Sequence, residues 1–248
     1  MSGVSISTTN ALIGVEPTVT DVGAGQVALN ISDPDHSLNY TCGTSTNDFS
    51  VSYGAQTNIS YVGVSGHNAA NPAPATIQLY NGATLVDSVL ISRNHNIMFT
   101  FPSQSFSDLI VKFVTNANNF QTTVSYIAAG QHVNLTYGTQ AGYKRNWLNR
   151  HTVQRTTTNL QVAPISTTQR NKPLKGSLRL PNELATFAEG NWQTFIDFSY
   201  EQPFFLKEVE SKPESTYICY DPSFDDSTHN STTTLNSLML KFTLFNGL

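Results

Sequence analysis

The sequence predicts a mostly β fold, with an N-terminal antiparallel β-sandwich of the jelly-roll type followed by a C-terminal β-rich domain that contains one short helix. Of the 248 residues, 39% are hydrophobic and only 12% are charged. The remainder is mostly Thr, Ser, Asn, Gln and Gly, which is typical of a β-rich protein with a weakly charged surface. Short apolar runs recur at short spacing between clusters of Pro, Ser, Asp and Asn, as in a sandwich or jelly roll.

The first clear strand is predicted at residues 58–65, where apolar side chains occupy both faces. The turn Gly66–Asn68 closes this strand, and Pro72 and Pro74 exclude a helix directly after it.

The segment Gly63 to His67 is a candidate catalytic motif, because it comes close to the G-x-S-x-G nucleophile elbow. Its second Gly is one position early and the helix that the elbow requires is excluded. We therefore interpret this segment as a tight turn, with His67 hydrogen-bonded across it.

A hairpin is predicted next, with strands at 75–80 and 85–91. Asn81-Gly82 is its turn signal, because a type I′ turn needs positive φ at both central residues and these residue types tolerate it. Further strands are predicted at 97–101, 109–114 and 124–128.

Charge places a domain boundary after residue 135. Residues 1–135 hold two basic and seven acidic residues, a balance of −5, whereas residues 136–248 hold eleven basic and ten acidic residues, a balance of +1. We therefore predict a jelly-roll domain at 1–135 and a β-rich assembly domain at 136–248.

The assembly domain begins with a basic arm, residues 143–179, which holds eight basic residues and no carboxylate. Contact with the acidic residues between 201 and 226 of an identical subunit is one interpretation, and an ordinary solvated face is another. Nucleic acid is a third, because Tyr143 and Trp147 could stack on bases. The net charge of −4 makes nucleic acid the least favoured partner.

The helix is predicted to start at Asn182, its N-cap, and to continue to about Gly190. Residues 192–200 also alternate as a strand would, so both conformations stay open there. Strands are predicted at 177–180, 204–209, 216–220 and 235–245. The last of these strands places four apolar residues on one face, namely Leu238, Leu240, Phe242 and Leu244.

No residue is assigned to a catalytic, cofactor-binding or metal-binding site, and no cofactor is expected. Asp225, Asp226 and His229 match no known ligand spacing and are interpreted as a solvated loop. Asp33 and Asp35 could donate oxygens to Ca²⁺, but one pair is too few for the six or more that this ion takes. We expect no membrane span, because no apolar run approaches the length of about 18 residues that a bilayer requires. Cys42 and Cys219 are predicted to be free, buried thiols.

Five segments of the first domain carry a family resemblance. They are Tyr61–Asn68, Ala75–Leu79, Ile97–Pro102, Leu109–Phe113 and Val124–Gly130. Residues 58–135 resemble a discoidin-like (galactose-binding-like) jelly roll, in the version that occurs in tail and baseplate proteins of tailed bacteriophages. The likeness over 136–248 is looser, and it depends on 172–180, 202–205 and 217–221.

This resemblance implies a non-enzymatic structural subunit of a phage virion, tail-associated and assembled in the host cytoplasm. Its expected partners are identical subunits and neighbouring virion proteins. The alternative is a carbohydrate-binding module for host surface recognition, with a surface glycan bound at the loops 66–74 and 33–40. This half of the chain has no Trp, so Tyr40, Tyr53 and Tyr61 are the candidate aromatic platforms, although Tyr61 is expected to pack inward. An enzyme on surface polysaccharide would need two carboxylates that face each other in a cleft.

Overall fold

The computed structural model describes residues 4–21, 23–35, 37–43, 48–71, 74–115, 120–135, 151–157, 164–171, 174–181, 185–225 and 237–245. The strands up to residue 135 are β1 Val4–Ser7, β2 Thr18–Val19, β3 Tyr40–Thr41, β4 Asp48–Ser52, β5 Gln56–Ser65, β6 Ala75–Asn81, β7 Thr84–Ile91, β8 Ile97–Phe106, β9 Leu109–Val114, β10 Thr123–Val124, β11 Tyr126–Gly130 and β12 His132–Leu135. The later strands are β13 His151–Thr157, β14 Pro164–Asn171, β15 Leu174–Pro181, β16 Phe204–Lys207, β17 Thr216–Asp225 and β18 Ser237–Phe245. Helical residues form a 3-10 helix, Ala28–Ser32, and the succession α1 Ala185–Phe187, a π-helical turn Ala188–Trp192 and α2 Gln193–Glu201.

The first part of the chain is an antiparallel β-sandwich, as predicted. One layer is a five-stranded sheet in the order β2-β4-β9-β6-β7, and the other contains the three strands β11-β5-β8. A single core of buried side chains joins the layers; it includes Val51, Leu79 and Phe113 from the first and Val62, Phe99 and Ile127 from the second. β5 is buried on both faces from Ile59 to Ser65, which confirms the sequence interpretation.

The β6–β7 hairpin is present, but its turn differs from the predicted one. Asn81 pairs with Thr84, so Gly82 and Ala83 are the central residues. Gly82 has a φ of 57°, and a Gly with positive φ at the first central position is the requirement of a type II′ turn. The type I′ prediction is wrong because Asn81 is still paired in the strand and Ala83, at the second central position, does not have a positive φ. The Asn81 Oδ1 accepts from the Ser107 backbone N–H at 2.8 Å.

The second part of the chain is built on a six-stranded antiparallel sheet in the order β12-β1-β16-β17-β18-β15. Leu238, Leu240 and Phe242 of β18 are buried on one face of it, as the alternation predicted. The helical segment covers this face. Trp192 and Phe195 lie 5.1 Å apart between ring centroids, and Phe195 packs edge-on against Phe204 at 5.0 Å.

The helix continues well past Gly190, which settles the stretch that the sequence left open between helix and strand. It passes Gly190 as a π-helical turn and ends at Glu201, followed by Gln202 in an extended conformation before Pro203. Residues 192–200 are therefore helical rather than a strand. The buried residues of this stretch are Trp192, Phe195 and Ser199, at spacings of three and four that place them on one helix face.

The six-stranded sheet contains strands from both predicted domains. β1 pairs with β12 on one side and with β16 on the other. β12 ends at Leu135, and the following residues, 136–150, lie outside the described part of the chain. The division at 135/136 into two domains stays a prediction, as does the role of the basic arm 143–179, of which β13, β14 and β15 are described. The predicted N-cap Asn182 also lies outside the described residues.

Both cysteines are buried and free, as predicted. The Cys42 Sγ accepts a hydrogen bond from the Thr122 backbone N–H at 3.0 Å. Burial raises the pKa of both thiols.

Candidate functional site

The most unusual buried side chain is Lys207, the last residue of β16, which is only 1% exposed. All four residues of β16 are buried because both faces of this strand are covered. Phe204 and Leu206 join the core that includes the helical segment. Phe205 and Lys207 alternate to the opposite face, where the Phe205 ring lies 6.0 Å from the Tyr126 ring in a stacked arrangement.

The ammonium group of Lys207 donates a hydrogen bond to the Thr100 hydroxyl of β8. Burial lowers the pKa of Lys207 to about 8, while the carboxylates of Glu210 and Asp87 act in the opposite direction. Lys207 therefore still carries a proton at neutral pH. A buried ammonium loses hydration that one hydroxyl does not replace, so this residue costs the fold stability.

His132 is held beside Lys207 by Ser60 of β5. The Ser60 Oγ lies 2.9 Å from the His132 Nδ1 and also accepts from the His132 backbone N–H at 2.9 Å. Burial lowers the pKa of His132, and the positive charge of Lys207 lowers it further. The imidazole is consequently neutral at pH 7 and can both donate and accept hydrogen bonds.

A polar cleft of about 480 Å³ opens over His132 and the second half of β8. Its described lining residues are Ser60, Thr100, Phe101, Pro102, Ser103, Gln131, His132, Asn134 and Glu210. Hydroxyl and amide groups dominate this lining, and Phe101 and Pro102 supply apolar surface. We refer to the space that these nine residues line as the first cavity.

Internal hydrogen bonds fix the polar groups of the first cavity. The Gln131 amide donates to the Ser103 hydroxyl at 3.1 Å and to the Asn58 carbonyl. Asn58 has a φ of 55°, in a segment where the β5–β8 register shifts twice. Bulges and left-handed residues of this kind are frequent next to binding sites.

A second cavity of about 500 Å³ adjoins the first, with Thr100 and Glu210 lining both. Its described lining residues are Asp87, Ser88, Val89, Leu90, Thr100, Lys207, Glu210, Ser211, Pro213 and Glu214. Lys207 lines the second cavity and donates to Thr100, which lines both cavities.

The aromatic platforms expected from the sequence are not at the surface. Tyr40, Tyr53 and Tyr61 are all buried, which confirms the inward packing of Tyr61 and makes the other two expectations wrong. The Tyr40 hydroxyl is engaged within the fold, donating to the Asp21 carbonyl at 3.3 Å and accepting from the Gly23 N–H at 3.1 Å. These tyrosines form part of the core instead of a sugar platform.

His67 is buried, and its Nε2 lies 2.7 Å from the His95 carbonyl oxygen. It therefore bonds to the segment after β7 and not across its own turn. The Ser65 hydroxyl, in the elbow-like sequence, donates to the Asn96 side-chain oxygen at 2.8 Å and is fully buried.

The aspartates considered as ligands are engaged in local structure where they are described. Asp33 accepts from the Asp35 N–H at 2.9 Å, and Asp35 accepts from the Ser37 N–H at 2.9 Å, both of which are Asx turns. Asp225 forms an exposed ion pair with Lys241 at 2.9 Å. Asp226 and His229 lie outside the described residues. No group of three potential ligands for a metal ion occurs among the residues that the structure describes.

The cleft as a whole could not be found from the sequence because its lining residues are far apart in the chain. Two features of the sequence could still have indicated this region: Lys207, a cation directly after the apolar residues 204–206, and the polar second half of β8.

In the part of the chain that is described, no helix is both long and apolar enough to cross a bilayer.

No protein-family model matches the chain, and no curated protein matches it. Several solved structures do. A chitosan-binding module of a chitosanase/glucanase from Paenibacillus sp. IK-5 is 14% identical and covers 50% of this chain and 99% of its own length, with a TM-score of 0.38. A Streptococcus pneumoniae fucose-binding module is 11% identical over 49% of this chain and 94% of its own, with a TM-score of 0.39.

The lectin-binding domain of lectinolysin, solved with Lewis b, is 16% identical over 50% of this chain and 96% of its own, again with a TM-score of 0.39. The names of these neighbours describe chitosan-binding, fucose-binding and lectin-binding modules. None of these names supports the phage-tail part of the resemblance. Similarity this weak cannot transfer a ligand to this chain.

Proposed function

We propose that this protein is a non-catalytic carbohydrate-binding module that binds a surface glycan in the first cavity. The observation that carries the proposal is the cleft of about 480 Å³ in which hydroxyl and amide groups surround the apolar surface of Phe101. A sugar presents hydroxyls to polar groups and C–H faces to apolar surface, so it needs both in one concave site. Gln131, fixed by two hydrogen bonds, is preorganised to contact it.

The buried lysine strengthens this assignment. Lys207 reduces stability, and a residue that opposes folding in this way is commonly part of a functional site. Its amine donates to Thr100, which lines the first cavity, and has further protons that face the adjoining second cavity.

Absence of catalysis is part of the proposal. Hydrolysis of a glycosidic bond normally needs two carboxylates across the scissile bond. Glu210 is the one carboxylate among the described residues that line the first cavity.

A printed glycan array followed by calorimetry on the best glycan tests the proposal. Gln131→Ala should weaken binding by at least about tenfold, because it removes a fixed polar side chain from the cavity together with the hydrogen bond that orients the Ser103 hydroxyl. Gln78→Ala is the matched control; Gln78 lies on β6 and lines neither cavity. Equal loss in both variants, or no glycan bound by the wild type, would contradict the proposal, and release of reducing ends would show that an enzyme is present.

A second candidate function is the tail-associated structural subunit of a phage virion, which would place the protein in the virion. The observation that favours self-assembly is β7, an edge strand of the described sheet with Leu85 48% and Leu90 71% exposed. Exposed apolar residues on an edge strand favour pairing with another chain. Light scattering after size exclusion should then show a defined oligomer that Leu90→Lys dissociates, and a monomer at high concentration would contradict this candidate.

A further inference from the structure

The two cavities adjoin each other. Thr100 and Glu210 line both of them, and the Lys207 amine, which lines the second cavity, donates to the Thr100 hydroxyl. Each volume lies in the range of about 300–1,000 Å³ that is usual for a site holding one small ligand. Side by side, the two cavities offer room for at least two linked units.

The second cavity differs from the first in charge. Among its described lining residues, three carboxylates, from Asp87, Glu210 and Glu214, accompany the single cation Lys207. Lys207 is 1% exposed, whereas Glu210 and Glu214 are exposed at the rim. A ligand that enters therefore meets negative charge first, and an anionic group would be repelled.

The buried amine and the carboxylates offer complementary contacts to adjacent hydroxyls. Lys207 has donor capacity beyond its bond to Thr100, and ionised carboxylates only accept. One ligand hydroxyl can thus accept from Lys207 while its neighbour donates to Asp87. A sugar unit without an anionic group satisfies both sets, whereas the carboxylate of a uronic acid adds a negative charge that Asp87, Glu210 and Glu214 would repel.

We infer that the ligand is a glycan chain of two or more units that crosses Lys207 into the second cavity, and that the unit bound there is neutral or amino-substituted and not acidic. This inference rests on the proposed function and adds the length and charge class of the ligand.

An array that carries neutral, amino and uronic-acid chains of one to six units tests both parts. Non-acidic chains should bind, and calorimetry on the best series should show a gain in affinity from one unit to two. Asp87→Asn and Glu214→Gln together should weaken binding of the two-unit ligand by about two- to fivefold, the range expected for exposed charges. The change Asp87→Asn keeps a side-chain oxygen that can accept from the Ser88 N–H, as the carboxylate of Asp87 does, so folding should be unaffected.

Glu189→Gln, an exposed change on the π-helical turn, is the matched control and should leave affinity unchanged. Preferred binding of uronic acids, equal affinity for one unit and two, or no effect of the double variant would overturn the inference while the proposed function stands. A wild type that binds no glycan at all overturns the proposed function and the inference together.

Discussion

Lys207 and Thr100 are hydrogen-bonded across 107 positions of sequence, which joins the six-stranded sheet to the β-sandwich beside the polar cleft. The two sheets also meet in a buried cluster in which Phe205 of β16 packs against Tyr61 and Tyr126 of the sandwich. The site is consequently built on strands held from both sides, which is the arrangement that keeps binding groups in place without a bound ligand.

Replacing the buried ammonium should make the fold more stable and the protein less functional. In Lys207→Met an unbranched apolar chain of similar length removes the desolvation cost, and the free energy of unfolding should rise by about 1 kcal/mol or more. Urea denaturation at pH 7 measures this change, and calorimetry with the best glycan should show weaker binding. A variant that is less stable than the wild type would show that Lys207 serves packing instead.

Stability should depend on pH through His67. Burial lowers the pKa of this imidazole to about 4, so the folded protein holds it neutral while the unfolded chain protonates it near pH 6.5. The resulting stabilisation is complete above pH 6.5 and is lost as the pH falls towards 4.

Urea denaturation at pH 7 and pH 4.5 should show the effect. His67→Gln should reduce the pH-dependent loss, which is of order 2 kcal/mol in the wild type. An unchanged pH dependence in the variant would assign the loss to other groups. The Nδ1 of His67 has no hydrogen-bond partner among the described residues, so protonation would place an unsolvated charge there.

Two glycines should respond in opposite ways to alanine. A Cβ on Gly63 would lie 2.6 Å from the Phe205 ring, so Gly63→Ala should destabilise the protein by about 1–3 kcal/mol through overpacking. Nothing lies within 4 Å of a Cβ on Gly190, and this residue is helical, so Gly190→Ala should stabilise by about 0.5–1 kcal/mol. Thermal denaturation of both variants checks the pair. A Gly63→Ala variant as stable as the wild type would refute the packing assigned to Phe205, and a destabilised Gly190→Ala variant would refute the open space at Gly190.

The thiols should be inert in the native state. Burial raises the pKa of Cys42 and Cys219, and the thiolate is the reactive form. A colorimetric disulfide reagent should therefore react at the rate of unfolding in native buffer and at once in denaturant. Rapid reaction of one thiol per chain under native conditions would contradict the burial of that cysteine.

The fold class could be predicted because it depends on local patterns. The alternation in β18 and the apolar run of β5 are visible in the sequence, and their burial follows the period of a strand. The conformation after Gly190 stayed open in the sequence because residues 192–200 alternate as a strand would; glycine is only a weak helix breaker, and the packing of Trp192 and Phe195 favours the helix.

The cleft could not be predicted, because its geometry comes from pairing between distant strands. Ser60, Thr100, His132 and Lys207 meet only when β5, β8, β12 and β16 are in register, and nothing local specifies that meeting. Tyr40 and Tyr53 illustrate the opposite error, since a tyrosine near a predicted loop can equally belong to the core.

Glycan binding in the cleft is tested most directly by a crystal structure of the protein with the glycan that binds best on the array. We expect the sugar in the first cavity, with hydroxyls within hydrogen-bond distance of Gln131 and Ser103 and a second unit next to Lys207. A sugar bound instead at the loops 66–74 and 33–40, with the cleft unchanged, would contradict this expectation.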